Sequence, residues 1–151
     1  MHPHLNTNPS QALRAYAQVE VETVIDQASP HKLILMLFEG AIKSTNQSLL
    51  HMQNRNIAEK GQTISRTIRI IEEGLKASLD TMQGGAIALQ LQELYDYMLR
   101  QLLTASLRNE SAPLQEVARL LCELRDAWAS IDPAIAQHSA QSRHTEVATS
   151  P

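Results

Sequence analysis

Aromatic side chains are almost missing from this chain: one Trp, one Phe and three Tyr among 151 residues. A surface that grips nucleic acid by base stacking has little to stack with. Positive charge is scarce as well. Thirteen Lys and Arg stand against 16 Asp and Glu, a formal net charge of -3, whereas nucleic acid and anionic membranes call for clustered cations. The single cysteine, Cys122, has no partner for an internal disulfide, which fits a reducing compartment. No apolar stretch approaches the ~20 residues of a membrane span, and the opening MHPHLNTNPS lacks the apolar core of a signal peptide. The expectation is a soluble, cytoplasmic protein with no nucleic-acid partner and no membrane insertion. At 16.8 kDa it is most simply one domain, large enough to bury roughly 68–70% of its unfolded surface.

Glycine and proline are sparse, five and six residues, and the stretches between them carry a helical period. Ser29 suits an N-cap and Pro30 the first turn of a helix running to about Gln53. After the polar turn Asn54-Arg55-Asn56, a second helix is expected from Ile57 to Asp80, with Ile57, Ile64, Ile68, Ile71, Leu75, Leu79 and Met82 as its seam. Gly84-Gly85 ends that unit. A third helix, about Ala86 to Leu107, has the seam Ile87, Leu91, Leu94, Met98, Leu102 and Ala105. Pro113 restarts the chain into a fourth, to about Ile131, with the stripe Leu114, Val117, Leu121, Leu124 and Trp128. No run alternates as a strand would. Short turns between long helices make neighbours antiparallel, so the expected fold is all-α: an up-down-up-down four-helix bundle over 13–131. A flexible N-terminus (1–12), a short N-terminal segment packed on the outside (Leu13, Tyr16, Val19, Val21), and a disordered tail (132–151) complete it.

The bundle does not absorb all the apolar surface. Leu33 to Phe38 are six apolar residues in a row, which at about 100° per residue go right round a helix. Ile34, Leu37, Phe38, Ala41, Ile42, Leu49 and Met52 make one broad face of helix one. Leu35, Met36 and Leu50 fall outside it. Leu99 and Leu103 sit on the shoulder of the helix-three seam, Leu89 and Leu107 lie further round, and Ile70 stands apart from the seam of helix two. Helix four has no surplus. Such a concentration on helices one and three implies a groove covered by the N-terminal segment, by a second copy or by an apolar partner helix.

No catalytic constellation emerges. The six histidines lack the inward Glu-x-x-His pairs of a bundle di-iron site, and His31 and His51 are expected as solvated surface. Cys122 has no neighbouring His, and no glycine-rich phosphate loop is present. Tyr95 reads as a core tyrosine with its hydroxyl reaching out, and Tyr97 lies outside the seam. No metal, cofactor or enzymatic activity is expected. A histidine phosphotransfer or signalling bundle working through His31 is the alternative, although a phosphotransfer histidine is mid-helix and followed by Lys-Gly, which this chain lacks.

Four stretches in order carry a further signal: AYAQVEVETVIDQASPHKLILMLFEGAI, IIEEGLKASLD, LYDYMLRQLLTASLRNE after the paired glycines, and VARLLCELRDAWASI. From roughly Ala15 to Ile131 they resemble the flagellin-specific export chaperones of bacteria, the FliS family. Phe38-Glu39 replaces that family's usual Tyr-Asp, and Gly74 is unusual within a helix. The resemblance implies a cytoplasmic chaperone that binds the disordered C-terminal segment of flagellin, prevents its premature polymerisation and keeps it competent for flagellar type III export. The flagellar export gate is a further candidate partner, and no nucleotide is needed. The expected partner-binding residues are Tyr16, Leu35, Met36, Ile70, Leu89, Leu99, Leu103 and Leu107, with the segment around Tyr16 as a displaceable cover.

Overall fold

A computed structural model describes residues 29–80 and 84–131. The described residues are helical, with no strand among them: α1 Pro30–Gln53, α2 Ile57–Arg69 continued by a π-helical segment Ile70–Lys76, α3 Gly85–Arg108 and α4 Ser111–Ala129. The expected N-terminal segment, including Tyr16, and the expected tail lie outside the described residues.

Local chemistry sets most boundaries. Lys32 N–H donates to Ser29 Oγ at 3.2 Å and Pro30 takes the first helical position, as a capped start requires. Gly85 opens α3 with φ +61, in the left-handed region that glycine enters freely. Helix four begins two residues before Pro113, because proline is tolerated in a first turn whose N–H groups lack intrahelical partners anyway.

Cross-links at four helix–helix seams fix the topology. Ser44 Oγ and Thr67 Oγ1 lie 2.6 Å apart, and Ser48 Oγ donates to Thr63 Oγ1 at 2.7 Å, so α1 and α2 run antiparallel. Lys76 meets Asp96 at 2.7 Å while Lys60 reaches Asn109 at 2.9 Å, which makes α2 and α3 antiparallel. Tyr97 and Gln101 both donate to Glu116 on α4. His31, at the start of α1, bonds Trp128, at the end of α4. The ring α1–α2–α3–α4 thus closes, with α1 and α3 diagonal across the core. That core joins Phe38, Ile42, Ile64, Ile71, Leu75, Tyr95, Met98, Leu102, Leu114, Val117 and Leu121. Burying each large aliphatic among them contributes about 1.5–3 kcal/mol.

The structure corrects several expectations. Helix two is not one α-helix to Asp80; its last part is π-helical. Gly74 lies there because a methyl group would sit 3.0 Å from Leu37 Cδ2, so its hydrogen admits α1 at close range. Ile57 and Ile87, placed on seams by their spacing, are 72% and 70% exposed, each in the first turn of its helix. His31 is not solvated surface but buried against Trp128, their rings stacked 5.2 Å apart. Between α1 and α2 lies a buried hydroxyl ladder of Ser44, Thr45, Ser48 and Thr67, each hydroxyl also bonded to a backbone carbonyl of its own helix.

Candidate functional site

Helix α3 is inward-facing on one side and apolar on another. Met98, Leu102 and Ala105 are fully buried. Tyr97 and Gln101 turn to α4. At 100° per residue Leu99 and Leu103 lie about 140–180° round the helix from the Tyr97–Gln101 side, on the flank away from α4, and Leu107 lies about 100° from that side, opposite the buried Met98, Leu102 and Ala105. Leu103 is 53% exposed and Leu107 85%. Leu89 shares this flank near the start of the helix and is exposed. From Leu89 to Leu107 the strip is about 27 Å long at 1.5 Å per residue, room for some five turns of a partner helix.

This flank borders α2. Helix α3 packs sparsely on both of its neighbours, whereas α1 packs closely on α2 and α4. The α2–α3 seam is tied at one end by Lys76–Asp96 and at the other by Lys60, whose ammonium donates to Asn109 Oδ1 and the Ser106 carbonyl. The hydrogen bond from Lys76 to Asp96 holds its ammonium above the ordinary lysine value. Between the ties, Leu99 and Ile68 are half-buried against the core, and Leu103 stands out from it. On the α4 side, donation to Glu116 holds the Tyr97 phenol above the usual tyrosine value.

The other residues singled out in the sequence fall elsewhere. Met36 and Ile70 are half-buried near the α1–π seam, where a methyl group on Gly40 would meet Ile70 Cδ1 at 3.6 Å. Leu35 is half-buried on the flank of α1 shared with His31 and Ile42, which faces α4. Leu89, Leu99, Leu103 and Leu107 therefore share one helix flank, while Leu35, Met36 and Ile70 occupy two separate places around α1. Tyr16 lies outside the described residues.

Sequence reasoning missed Lys60 and the hydroxyl ladder. The ladder had a signal: Ser44/Ser48 and Thr63/Thr67 repeat a four-residue spacing, which puts small polar groups on one face of each helix. Lys60 had none, because its partners are 46 and 49 residues away.

A phosphotransfer histidine needs an accessible ring nitrogen. His31 is buried, with Nε2 2.8 Å from the Trp128 carbonyl, and His51 Nδ1 is buried without a hydrogen-bond partner. Among the described residues no cluster of three or more His, Cys, Asp or Glu is placed to hold a metal, and no helix is long and apolar enough to cross a membrane.

Residues 12–135 match the family model described as Flagellar protein FliS. The chain belongs to the FliS family. The flagellar secretion chaperone FliS of Salmonella typhimurium is 46% identical over 124 residues, 82% of this chain and 92% of that protein. The flagellar secretion chaperone FliS of Escherichia coli is 40% identical over 119 residues, covering 79% of this chain and 88% of its own. A more distant relative of the same description, from Bacillus subtilis, is 31% identical over 114 residues, 76% of this chain and 80% of its own length. The bundle is thus that of the flagellar secretion chaperone family, and among the described residues Leu89, Leu103 and Leu107 of α3 are exposed on it, as are Leu50, Ile57 and Ile87.

Proposed function

We propose that this chain binds the disordered C-terminal segment of flagellin in the cytoplasm, blocks its premature polymerisation and holds it competent for flagellar type III export. One observation carries the reading: Leu89, Leu103 and Leu107 are exposed and Leu99 is half-buried on one side of α3, over a length of about five helical turns. An amphipathic client that folds on docking would bury Leu89, Leu99, Leu103 and Leu107, each contributing about 1–2 kcal/mol before the cost of ordering the client. Leu35, Met36 and Ile70 extend the client path around α1, and the segment around Tyr16 competes for the same surface when no client is bound. Binding of this kind uses apolar side chains alone, so the activity is that of a chaperone and not of an enzyme. The flagellar export gate is a second partner, met by the loaded complex.

The test is isothermal titration calorimetry of the full chain with a synthetic peptide of the host flagellin C-terminus. Saturable one-to-one binding with a negative heat-capacity change supports the proposal. Absence of heat and of co-elution at high peptide concentration would remove it.

A further inference from the structure

Lysine is among the residues least often buried, yet Lys60 is only 6% exposed. Its ammonium donates to Asn109 Oδ1 at 2.9 Å and to the Ser106 carbonyl at 3.4 Å. Neither partner is an acid. The compensating negative charge is that of the α3 C-terminus itself, where the last carbonyls lack intrahelical donors and the helix dipole ends. Asn109 is left-handed at φ 53, and Glu110 N–H closes back onto the Ala105 carbonyl at 3.2 Å. The final turn of α3 is therefore secured by its own backbone closure and by one side chain from α2.

Exposed apolar side chains stand near both ends of that bridge. Ile57 lies one turn before Lys60, and Leu107 directly follows Ser106. They are 72% and 85% exposed, the two most exposed large hydrophobic residues described. Both stand at the end of the α2–α3 seam where Lys60 meets Ser106, with Leu103 one turn earlier on α3. The seam's other tie, Lys76–Asp96, is partly solvated and at the far end, so it fixes little here.

We infer that Lys60 is a positioning residue for client binding: by pinning the last turn of α3 to α2, it holds Ile57, Leu103 and Leu107 as one preformed apolar strip. The inference rests on the proposed function. A frayed α3 end would have to be ordered by the client, and that cost would appear as lost affinity.

The experiment is calorimetry of the full chain with the flagellin C-terminal peptide. Lys60→Met keeps the stem and loses the donors; it should weaken binding about tenfold, with amide exchange of the free chain raised only in the last turn of α3, and Lys60→Arg should restore most of the loss. The loss in Lys60→Met combined with Leu107→Ala should be smaller than the product of the two single losses, because both act at one strip. Combined with Leu89→Ala, about 27 Å away, the losses should multiply. Unchanged affinity in Lys60→Met, or losses that multiply with Leu107→Ala, overturns the role. Should Lys60→Met not fold, Asn109→Gly removes the acceptor yet suits the left-handed position; it should bind about threefold more weakly and couple to Leu107→Ala, and additivity there overturns the role equally. Wild-type chain that fails to bind the peptide overturns both this inference and the proposed function. Binding abolished by Leu103→Glu but untouched by Lys60→Met and Asn109→Gly overturns only the role of Lys60.

Discussion

Trp128 and His31 hold each other across 97 residues of sequence: the indole Nε1–H donates to the His31 carbonyl at 2.9 Å, and His31 Nε2 lies 2.8 Å from the Trp128 carbonyl. Their rings are stacked with an interplanar angle of 16°. The pair joins the start of α1 to the end of α4, at the bundle end opposite Leu107. Trp128→Phe, which keeps a stacked ring but drops the donor, should cost about 1 kcal/mol, and His31→Ala about 2–3 kcal/mol. Urea unfolding at neutral pH measures both. Flagellin-peptide affinity of the folded variants should stay within about twofold of wild type. A folded His31→Ala chain that no longer binds would instead give the histidine a functional role.

Ser44 and Thr67 form the tightest contact between α1 and α2 and have no access to water. Thr67→Val alone leaves the Ser44 hydroxyl with one partner fewer and should destabilise by about 1–2 kcal/mol. Adding Ser44→Ala should recover part of that loss, because removing both partners leaves no buried polar group unpaired. Denaturant midpoints of the two singles and the double settle the sign of the coupling. A double variant as costly as the sum of the singles would mean that packing, not hydrogen bonding, dominates the ladder.

Burial pushes the Tyr95 phenol up from 10.0 to about 12. Between these values the unfolded chain loses the Tyr95 proton and the folded chain keeps it. The folded state then binds more protons, so stability falls as pH rises from 10 toward 12, by up to about 2–3 kcal/mol from this group. Below pH 10 the contribution is fully present. Unfolding free energies across this range should fall steeply in the wild type and less steeply in Tyr95→Phe. Equal slopes would place the alkaline instability elsewhere.

Leu103 touches solvent over about half its surface, whereas Leu102 beside it has none. Leu103→Glu should leave the unfolding midpoint nearly unchanged, since surface substitutions typically stay within about 0.5 kcal/mol. In the bound state the same carboxylate would be buried without a partner, and peptide binding should drop below detection by calorimetry. Leu102→Glu should do the reverse and prevent folding. Peptide binding retained in Leu103→Glu would move the client off this flank of α3.

Hydrogen exchange with and without the flagellin peptide tests the expected cover. Protection should rise along α3, and residues 13–25 should exchange differently in the two states. Identical protection of 13–25 in both, with none gained on α1 or α3, would end the displacement scheme.

Much of the architecture was legible in the chain itself. Helical periodicity is local: about 100° per residue places Met98, Leu102 and Ala105 on one line whatever the rest of the molecule does. The same arithmetic put Leu99 and Leu103 on the shoulder and Leu89 and Leu107 beyond it. Ser29-Pro30 marked a start, and the paired glycines a break, because capping and φ preferences act within a turn. Periodicity misplaced Ile57 and Ile87 because it cannot tell which turns of a helix its neighbours cover. Tertiary structure decided the rest. Whether α1 and α3 stand side by side or diagonally, whether Gly74 yields a π turn under Leu37, and which carbonyls Lys60 finds all depend on where separate helices meet. His31 is the clearest case. Its neighbours in sequence suit an exposed helix start, and only the arrival of Trp128 at the end of α4 makes it a buried partner. Local sequence sets which face of a helix is apolar; the packing of helices against one another sets which of those faces is covered and which is left exposed.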